Sequence, residues 1–322
     1  MITLNANKFI GTISNLIIYT KYYDKYKLGG GIQELLDAFR SDDVERGDGV
    51  IVRTAGLPTV KDLNVDASSL LDVNKPTITE QYLPVSNFKV IPLTLNEQIM
   101  GMSFSEEYAL ANFTGYLIGL MGVAKSLYMY EELSKTIAGY KDGNANNTFF
   151  KTIDIEGFAK PTENLTAVED NAIRLSNAKA VYRILIETIT SAGIGSLEGT
   201  DESIAYDTPS DMVCLIPPKM MSTLDVDALA TLLNSNVLTS NINVKFINWD
   251  FSKWKKDSGD NDYTLILLDK SAIQYGFKYQ LATSFFDSSN LNTNRFLHFA
   301  YYCGGIDGAF GVAISITNMY SE

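Results

Sequence analysis

The feature that most constrains this chain is a helical pattern running from Ser105 to Tyr140, with Leu127, Tyr130, Leu133 and Ile137 on one stripe. Unbroken, such a helix is roughly 54 Å long at about 1.5 Å per residue. Ser103 and Glu106 have the spacing of a capping box at its start. Gly115, Gly119 and Gly122 share one face. They either permit a close helix contact or break the run in two. The break is the expected outcome, since each interior glycine costs up to about 1 kcal/mol against alanine. The most apolar part, Ala109–Ala124, is interrupted by Asn112 and Thr114 and bounded by Glu107 and Lys125. It is shorter than the ~20 residues of a spanning helix, so it reads as a buried helix. Met1–Ile18 contains Asn5, Asn7, Ser14 and Asn15 and no small-residue cleavage site, so no targeting segment is expected there.

Around this run the chain alternates between short patterns. Ile10, Ile13 and Ile17 recur at helical spacing, as do Ile32, Leu35, Leu36 and Phe39, and Gly29–Gly31 lies between them. Val50–Thr54 and Phe88–Leu95 read as strands, expected to pair with each other. The stretch between them is polar and broken by Pro58, Pro76 and Pro84. A loop so long is uncommon within a compact domain. It is either a disordered insertion or a projecting arm that a neighbouring subunit orders. Pro92 suits an edge strand. Asp142–Thr166 is a polar candidate boundary, and Val168–Ala192 a second long helix through Ile173, Ala180, Ile184 and Ile189. After a glycine-rich loop, Gly193–Asp211, come a strand at Met212–Ile216, a helix at Lys219–Asn234 and strands at Val244–Phe251 and Tyr263–Leu268. Asn294–Tyr302 and Ala309–Thr317 are separated by the turn Gly304-Gly305-Ile306-Asp307-Gly308, which predicts a hairpin. The fold class is α+β.

Composition narrows the chemistry. The chain has 322 residues, 38 acidic against 26 basic, one histidine, two cysteines and a net charge of −12. Residues 1–60 are balanced, and residues 141–260 carry the largest acidic excess. No large phosphate-binding face is expected. His298, the only imidazole, lies in an alternating apolar strand and reads as a core or interface residue rather than a catalytic base. Cys214 and Cys303 are too far apart in sequence for zinc-ligand spacing and read as small core residues in a reducing compartment. Gly193–Gly199 misses the dinucleotide fingerprint by one residue and follows a helix, and there is no Walker loop. Asp42-Asp43 and Glu106-Glu107 are best read as solvated helix ends. No catalytic, metal-binding or cofactor-binding residue is assigned. The densest unusual cluster is Tyr19-Thr20-Lys21-Tyr22-Tyr23-Asp24-Lys25-Tyr26-Lys27. Such a cluster suits single-stranded nucleic acid or a subunit contact.

Taken in order, these segments resemble the tailed-bacteriophage major capsid proteins of Hong Kong 97-type coat fold. Gly47-Asp48-Gly49-Val50-Ile51-Val52-Arg53 is similar to the strand that opens their extended loop. Phe88–Glu97 with Gly101-Met102-Ser103-Phe104-Ser105 resembles its return strand and the lead into the spine helix. Met212–Lys219, with Pro217-Pro218, resembles the entry of the axial domain, and Leu265–Gly276 and Asn294–Ile316 its last strands and helix. The resemblance implies an N-terminal arm at 1–47, an extended loop at 48–97, a peripheral domain with spine helix at 98–165, an axial domain at 166–293 and closing strands at 294–322. It implies a non-enzymatic shell subunit forming pentamers and hexamers of an icosahedral head around double-stranded DNA. No cross-linking or protease residue can be carried over. Expected partners are copies of itself, portal and scaffold or other head proteins, and DNA by weak non-specific contact, with no membrane and no cofactor. Assembly in the host cytoplasm and residence in the virion follow. Candidate subunit-interface residues are Tyr19, Tyr22, Tyr23, Tyr26, Asp48, Arg53, Lys61, Asp62, Lys75, Phe88 and Lys89. An encapsulin-like cellular shell is the nearest alternative, and a metal-dependent enzyme a more distant one.

Overall fold

The computed structural model describes residues 28–44, 48–55, 75–76, 78–85, 87–96, 107–142, 150–156, 166–193, 212–218, 244–249 and 264–317. The expected helices at Ile10–Ile17 and Lys219–Asn234, the glycine-rich loop and the capping box at Ser103 lie outside them.

Strand β5 (Met212–Ile216) is buried along its whole length, as its unbroken apolar run requires. It is flanked by β6 (Val244–Asn248) in parallel and β7 (Thr264–Asp269) antiparallel. Beyond β7 lies β10 (Gly311–Thr317), and beyond that β4 (Phe150–Glu156), parallel to β10. The two faces of this five-stranded sheet are closed by different helices. Met212, Cys214, Ile216, Leu265, Leu267, Val312 and Ile314 pack with Ala178, Val181 and Leu185 of helix α3 (Ala167–Gly193). Val213, Leu215, Ile266, Leu268 and Ala313 instead join Leu35, Leu36 and Phe39 of α1 (Gly30–Phe39) and Met129, Leu133 and Ile137 of α2 (Glu107–Asp142). Alternate residues of one strand thus feed two cores.

Helix α2 is one continuous helix of 36 residues. The break expected at its glycines does not occur, and among the described residues neither does a close contact. A Cβ placed on Gly115, Gly119 or Gly122 would meet nothing within 4 Å. The cost of three glycines is carried by the packing of the second half, where Met129, Leu133, Ile137 and Ala138 are buried. The buried stripe of α3 runs through Ala178, Val181 and Leu185, displaced from the expected Ile173, Ala180 and Ile184.

The capping box that does form is at α3. The Thr166 backbone N–H donates to Glu169 Oε2 at 3.0 Å, and the Glu169 N–H reaches Thr166 Oγ1 at 3.5 Å. These bonds hold the Glu169 carboxyl below its ordinary range, the Thr166 hydroxyl contributing most. Thr166→Ala is expected to lower subunit stability by about 1 kcal/mol, read as a shift in urea midpoint at unchanged slope.

A second, three-stranded antiparallel sheet is built from β3 (Asn87–Asn96), β9 (Asn292–Gly305) and β8 (Ile273–Asp287), with β9 in the centre. A bulge between Phe277 and Tyr279 shifts the side-chain alternation of β8 by one residue, so that Phe277 pairs with Tyr301 on one face and Tyr279 with Ala300 on the other. A separate pair joins β1 (Gly49–Ala55) to β2 (Ile78–Pro84). Three expectations change accordingly. Strand β1 pairs with β2, inside the stretch expected to be loop, and not with β3. Strands β9 and β10 form no hairpin, because the glycine-rich turn carries the chain from one sheet to the other. The polar segment 142–166 contains β4.

Candidate assembly surface

The β1–β2 pair is rooted on the body and open at its far end. Leu83 and Val85 are buried against Ala300 and Tyr302, with Val50 and Val52 packed beside them. The Val85 N–H donates to the Asp48 carbonyl at 2.8 Å. Gly49 is required at this crossing, since a Cβ there would collide with the Leu83 carbonyl oxygen. Gln81 clamps the root from the other side. Its Nε2 donates to the Gly305 carbonyl and its Oε1 accepts from the Asp307 N–H, both at 2.8 Å. Outward of this clamp, Arg53–Ala55 and Ile78–Glu80 are exposed on both faces. One face carries Ile51 opposite Tyr82 and Ala55 opposite Ile78, with Arg53 and Glu80 ion-paired between them at 2.9 Å. Ile51, Ile78 and Tyr82 are all exposed.

The approach to the arm is fixed to β8. Ser41 and Val44 N–H groups donate to the Tyr275 and Phe277 carbonyls at 2.9 Å, and the Phe277 N–H donates to Asp43 Oδ1 at 3.0 Å. The Tyr275 hydroxyl donates to the Leu36 carbonyl at 2.9 Å, and burial pushes it up to about 12.

The three-stranded sheet has two unlike faces. The inner face meets α2. Phe299 stacks edge-on to Tyr128, Lys125 Nζ donates to Gln280 and lies 4.9 Å from the Phe277 ring centre, and the Tyr301 hydroxyl bridges Tyr128 and Glu132. Burial lowers Lys125 from its ordinary range, with the Arg40 charge acting in the same direction. The outer face has four rows across β3, β9 and β8. They are Phe88–Ala300–Tyr279, Val90–His298–Leu281, Pro92–Phe296–Thr283 and Thr94–Asn294–Phe285. All the β3 and β8 members of these rows are exposed. Over the small, buried Ala300, the Phe88 and Tyr279 rings meet with centroids 6.1 Å apart.

These contacts place the sequence candidates. Phe88 lies on the open outer face. Lys89 lies on the opposite face, 5.6 Å from the Tyr128 ring centre. Asp48 accepts from Lys278 Nζ at 3.1 Å within its own chain. Arg53 stands on the open arm and Lys75 is exposed, ahead of β2 in the chain. Tyr19, Tyr22, Tyr23, Tyr26, Lys61 and Asp62 lie outside the described residues. The sequence reading did not single out Ile51, Ile78, Tyr82, Leu281 or Phe285. An exposed apolar side chain in a strand looks the same in sequence as a buried one.

Nucleophile and metal chemistry find little footing among the described residues. Cys214 is fully buried, which pushes its thiol up. Burial likewise raises Cys303 to about 11, against its hydrogen bond with Thr136. Among the described residues, no group of three His, Cys, Asp or Glu side chains is placed to hold a metal ion, and no helix is long and apolar enough to cross a membrane.

This mixed fold is similar to those of solved phage shells. The capsid of Staphylococcus phage Andhra is 12% identical, with a TM-score of 0.59 over 93% of this chain and 87% of that one. The capsid of cyanophage P-SCSP1u is 12% identical, with a TM-score of 0.57 over 95% and 94%. The mature capsid of bacteriophage PhiM1 is 11% identical, with a TM-score of 0.55 over 94% and 92%. Such identities establish the fold alone. No curated protein matches the chain in sequence. The profile of the Phi29-like phage major capsid proteins, however, matches residues 4–306, and the chain belongs to that family. It is a major capsid protein of a tailed-phage icosahedral head, a self-assembling, non-enzymatic component of the virion. This decides against both an encapsulin-like cellular shell and a metal-dependent enzyme.

Proposed function

We propose that the subunit is organised and joined as a Hong Kong 97-type coat protein. Residues 1–47 serve as an N-terminal arm, 48–97 as the extended loop, 98–165 as the peripheral domain around the spine helix, 166–293 as the axial domain and 294–322 as closing strands. In this reading β3 and β8 join the peripheral part through β9. The observation that carries it is the β1–β2 pair, buried at its root and open on both faces at its end. An exposed strand pair with apolar side chains is an unpaired surface that a neighbour covers in the assembled shell. Subunits join in this way into pentamers and hexamers. Arg53, Lys61, Asp62, Lys75, Phe88 and Lys89 act at or beside that contact, with Asp48 holding its base. Tyr19, Tyr22, Tyr23 and Tyr26 act as a second contact in the N-terminal arm.

Portal and scaffold or other head proteins are the further partners of this reading, along with packaged double-stranded DNA. The net charge of −12 supports a weak and non-specific DNA contact, because an acidic wall contains DNA without gripping it. The test is negative-stain imaging and sedimentation of the purified protein. Closed shells or rings of five and six are expected. A strictly monomeric species at high concentration in near-physiological salt would overturn the reading.

A further inference from the structure

Between the first half of α2 and the inner face of the three-stranded sheet lies a cavity of about 240 Å³. Ile118 and Met121 of α2 form one wall, and Ala282, Ser284, Arg295 and Leu297 of the sheet face them. Apart from Ser284 and Arg295 these side chains are apolar. Arg295 stands in the central strand, with Leu93 and Ser284 as its cross-strand partners. Its Nε is buried and has no hydrogen-bond partner, and no ion pair among the described residues engages its guanidinium. A buried donor left without an acceptor is costly.

We propose that this cavity binds a small aliphatic carboxylate, with its head on Arg295 and its tail between Ile118, Met121 and Leu297. The charge around the cavity points to an anion. The stretches Lys89–Leu95, Gln280–Phe286 and Thr293–Phe299, which surround Arg295 in the sheet, contain no Asp or Glu. Helix α2 has none between Tyr108 and Tyr130, where its one charged residue is Lys125. A chain of net charge −12 thus keeps this region free of acid. Lys125 donates to Gln280, and Lys89 lies over the Tyr128 ring, which leaves Arg295 as the unpaired cation in the cavity wall. One guanidinium offers a fork of donors that matches a carboxylate. A more highly charged phosphate calls for a second cation at the same point. The volume is below the roughly 300–1,000 Å³ of drug-sized sites, so the tail is short, on the order of eight carbons.

Such a ligand braces a sparsely packed part of the long helix. Gly115, Gly119 and Gly122 lie in the same half of α2 as the cavity wall, with open space beside each. Ile118 is 38% exposed, and a tail lying against it covers apolar surface that water otherwise reaches. The cavity lies within one subunit, so the proposal goes beyond shell assembly and does not depend on it.

The experiment titrates octanoate into the full chain, dissociated and assembled, and follows it by ligand-observed NMR and thermal unfolding. Saturable binding with a Kd on the order of 1 mM is expected, together with a raised thermal midpoint of the dissociated subunit. Octanol keeps the tail without the charge and acetate the charge without the tail. Each should bind at least about tenfold more weakly than octanoate. Arg295→Gln should weaken octanoate by a similar factor and leave octanol unchanged. Ala282→Leu, which extends a side chain into the cavity, should weaken both. Circular dichroism checks that the variants fold, and the ligand series on the wild type decides the matter without them. Equal octanoate affinity in wild type and Arg295→Gln overturns the proposal. So does acetate binding as tightly as octanoate, inorganic phosphate displacing octanoate at equal concentration, or no saturable binding. Binding to the dissociated subunit that is lost in shells also overturns it, because a carboxylate of a neighbouring polypeptide then fills the cavity. Failure of the chain to assemble bears on the shell reading alone, since the dissociated subunit still reports binding.

Discussion

Trp249→Ala is expected to destabilise the subunit by about 3–5 kcal/mol, a large part of the roughly 5–15 kcal/mol that holds a typical domain folded. Trp249 is 1% exposed and follows β6 directly. Its backbone N–H donates to the Ile216 carbonyl at 2.9 Å, extending the β5–β6 ladder by one bond. Its ring fills the core shared by the five-stranded sheet, α1 and α2. Its indole N–H donates to Ser134 Oγ at 3.0 Å, and Ser134 on α2 is itself fully buried. Truncation therefore removes a large apolar volume and the polar tie between the long helix and the sheet. Trp249→Phe separates the two contributions. It keeps most of the volume and removes the indole donor to Ser134, for an expected loss of about 1–3 kcal/mol. Urea unfolding of the dissociated subunit, followed by circular dichroism, measures both. A loss below 1 kcal/mol for the alanine variant would show that α2 is held to the sheet by other contacts. Shell yield should fall with the alanine variant in proportion to the folded subunit available.

What the sequence revealed of this fold depended on whether the signal was local. Met212–Ile216 was legible as a strand because both of its faces are covered, so every residue is apolar. The 36-residue helix was legible from its period, but its continuity was not. A glycine weighs the same against a helix whether it is exposed or packed, and only the packing of Met129, Leu133 and Ile137 decides that the helix continues through Gly115, Gly119 and Gly122. Strand pairing was the least legible. Val90 meets His298 and Ile314 meets Leu265 across long stretches of chain, and no local pattern specifies such partners. The turn at Gly304–Gly308 looks like a hairpin turn because it joins two apolar runs. The runs diverge because β9 pairs with β3 and β8 in one sheet, whereas β10 pairs with β7 and β4 in the other. The order of segments carried the family resemblance where single motifs could not. Apart from Phe88, the open surface stayed hidden, because Leu281 and Phe285 have the composition of core residues and only the three-dimensional arrangement leaves them uncovered.

Replacing residues 56–77 with a two-residue Asn-Gly turn is expected to leave the subunit folded and to abolish its assembly. Ala55 and Ile78 are register partners at the end of the β1–β2 ladder, so the cut ends already lie side by side, and Asn-Gly suits a two-residue connection between antiparallel strands. The root is untouched. Leu83 and Val85 keep their seat on Ala300 and Tyr302, Gln81 keeps its bonds to Gly305 and Asp307, and Asp48 keeps Lys278. The removed stretch has the polar, proline-broken sequence of a segment outside a core. Subunit stability should therefore stay within about 0.5 kcal/mol of wild type, as for other changes away from the core. Contacts between subunits should fail, because the proposed arm contact loses its outer part. Light scattering should then remain at the level of the free subunit at concentrations where the wild type is fully assembled. Loss of the circular dichroism signal would mean that residues 56–77 complete the subunit's own fold. Assembly equal to wild type would mean that the rooted half of the arm, with Ile51 and Tyr82, supplies the contact by itself. The Ile51→Asp variant then decides that case, since an aspartate on the remaining open face should prevent the contact while leaving the Arg53–Glu80 pair and the root in place.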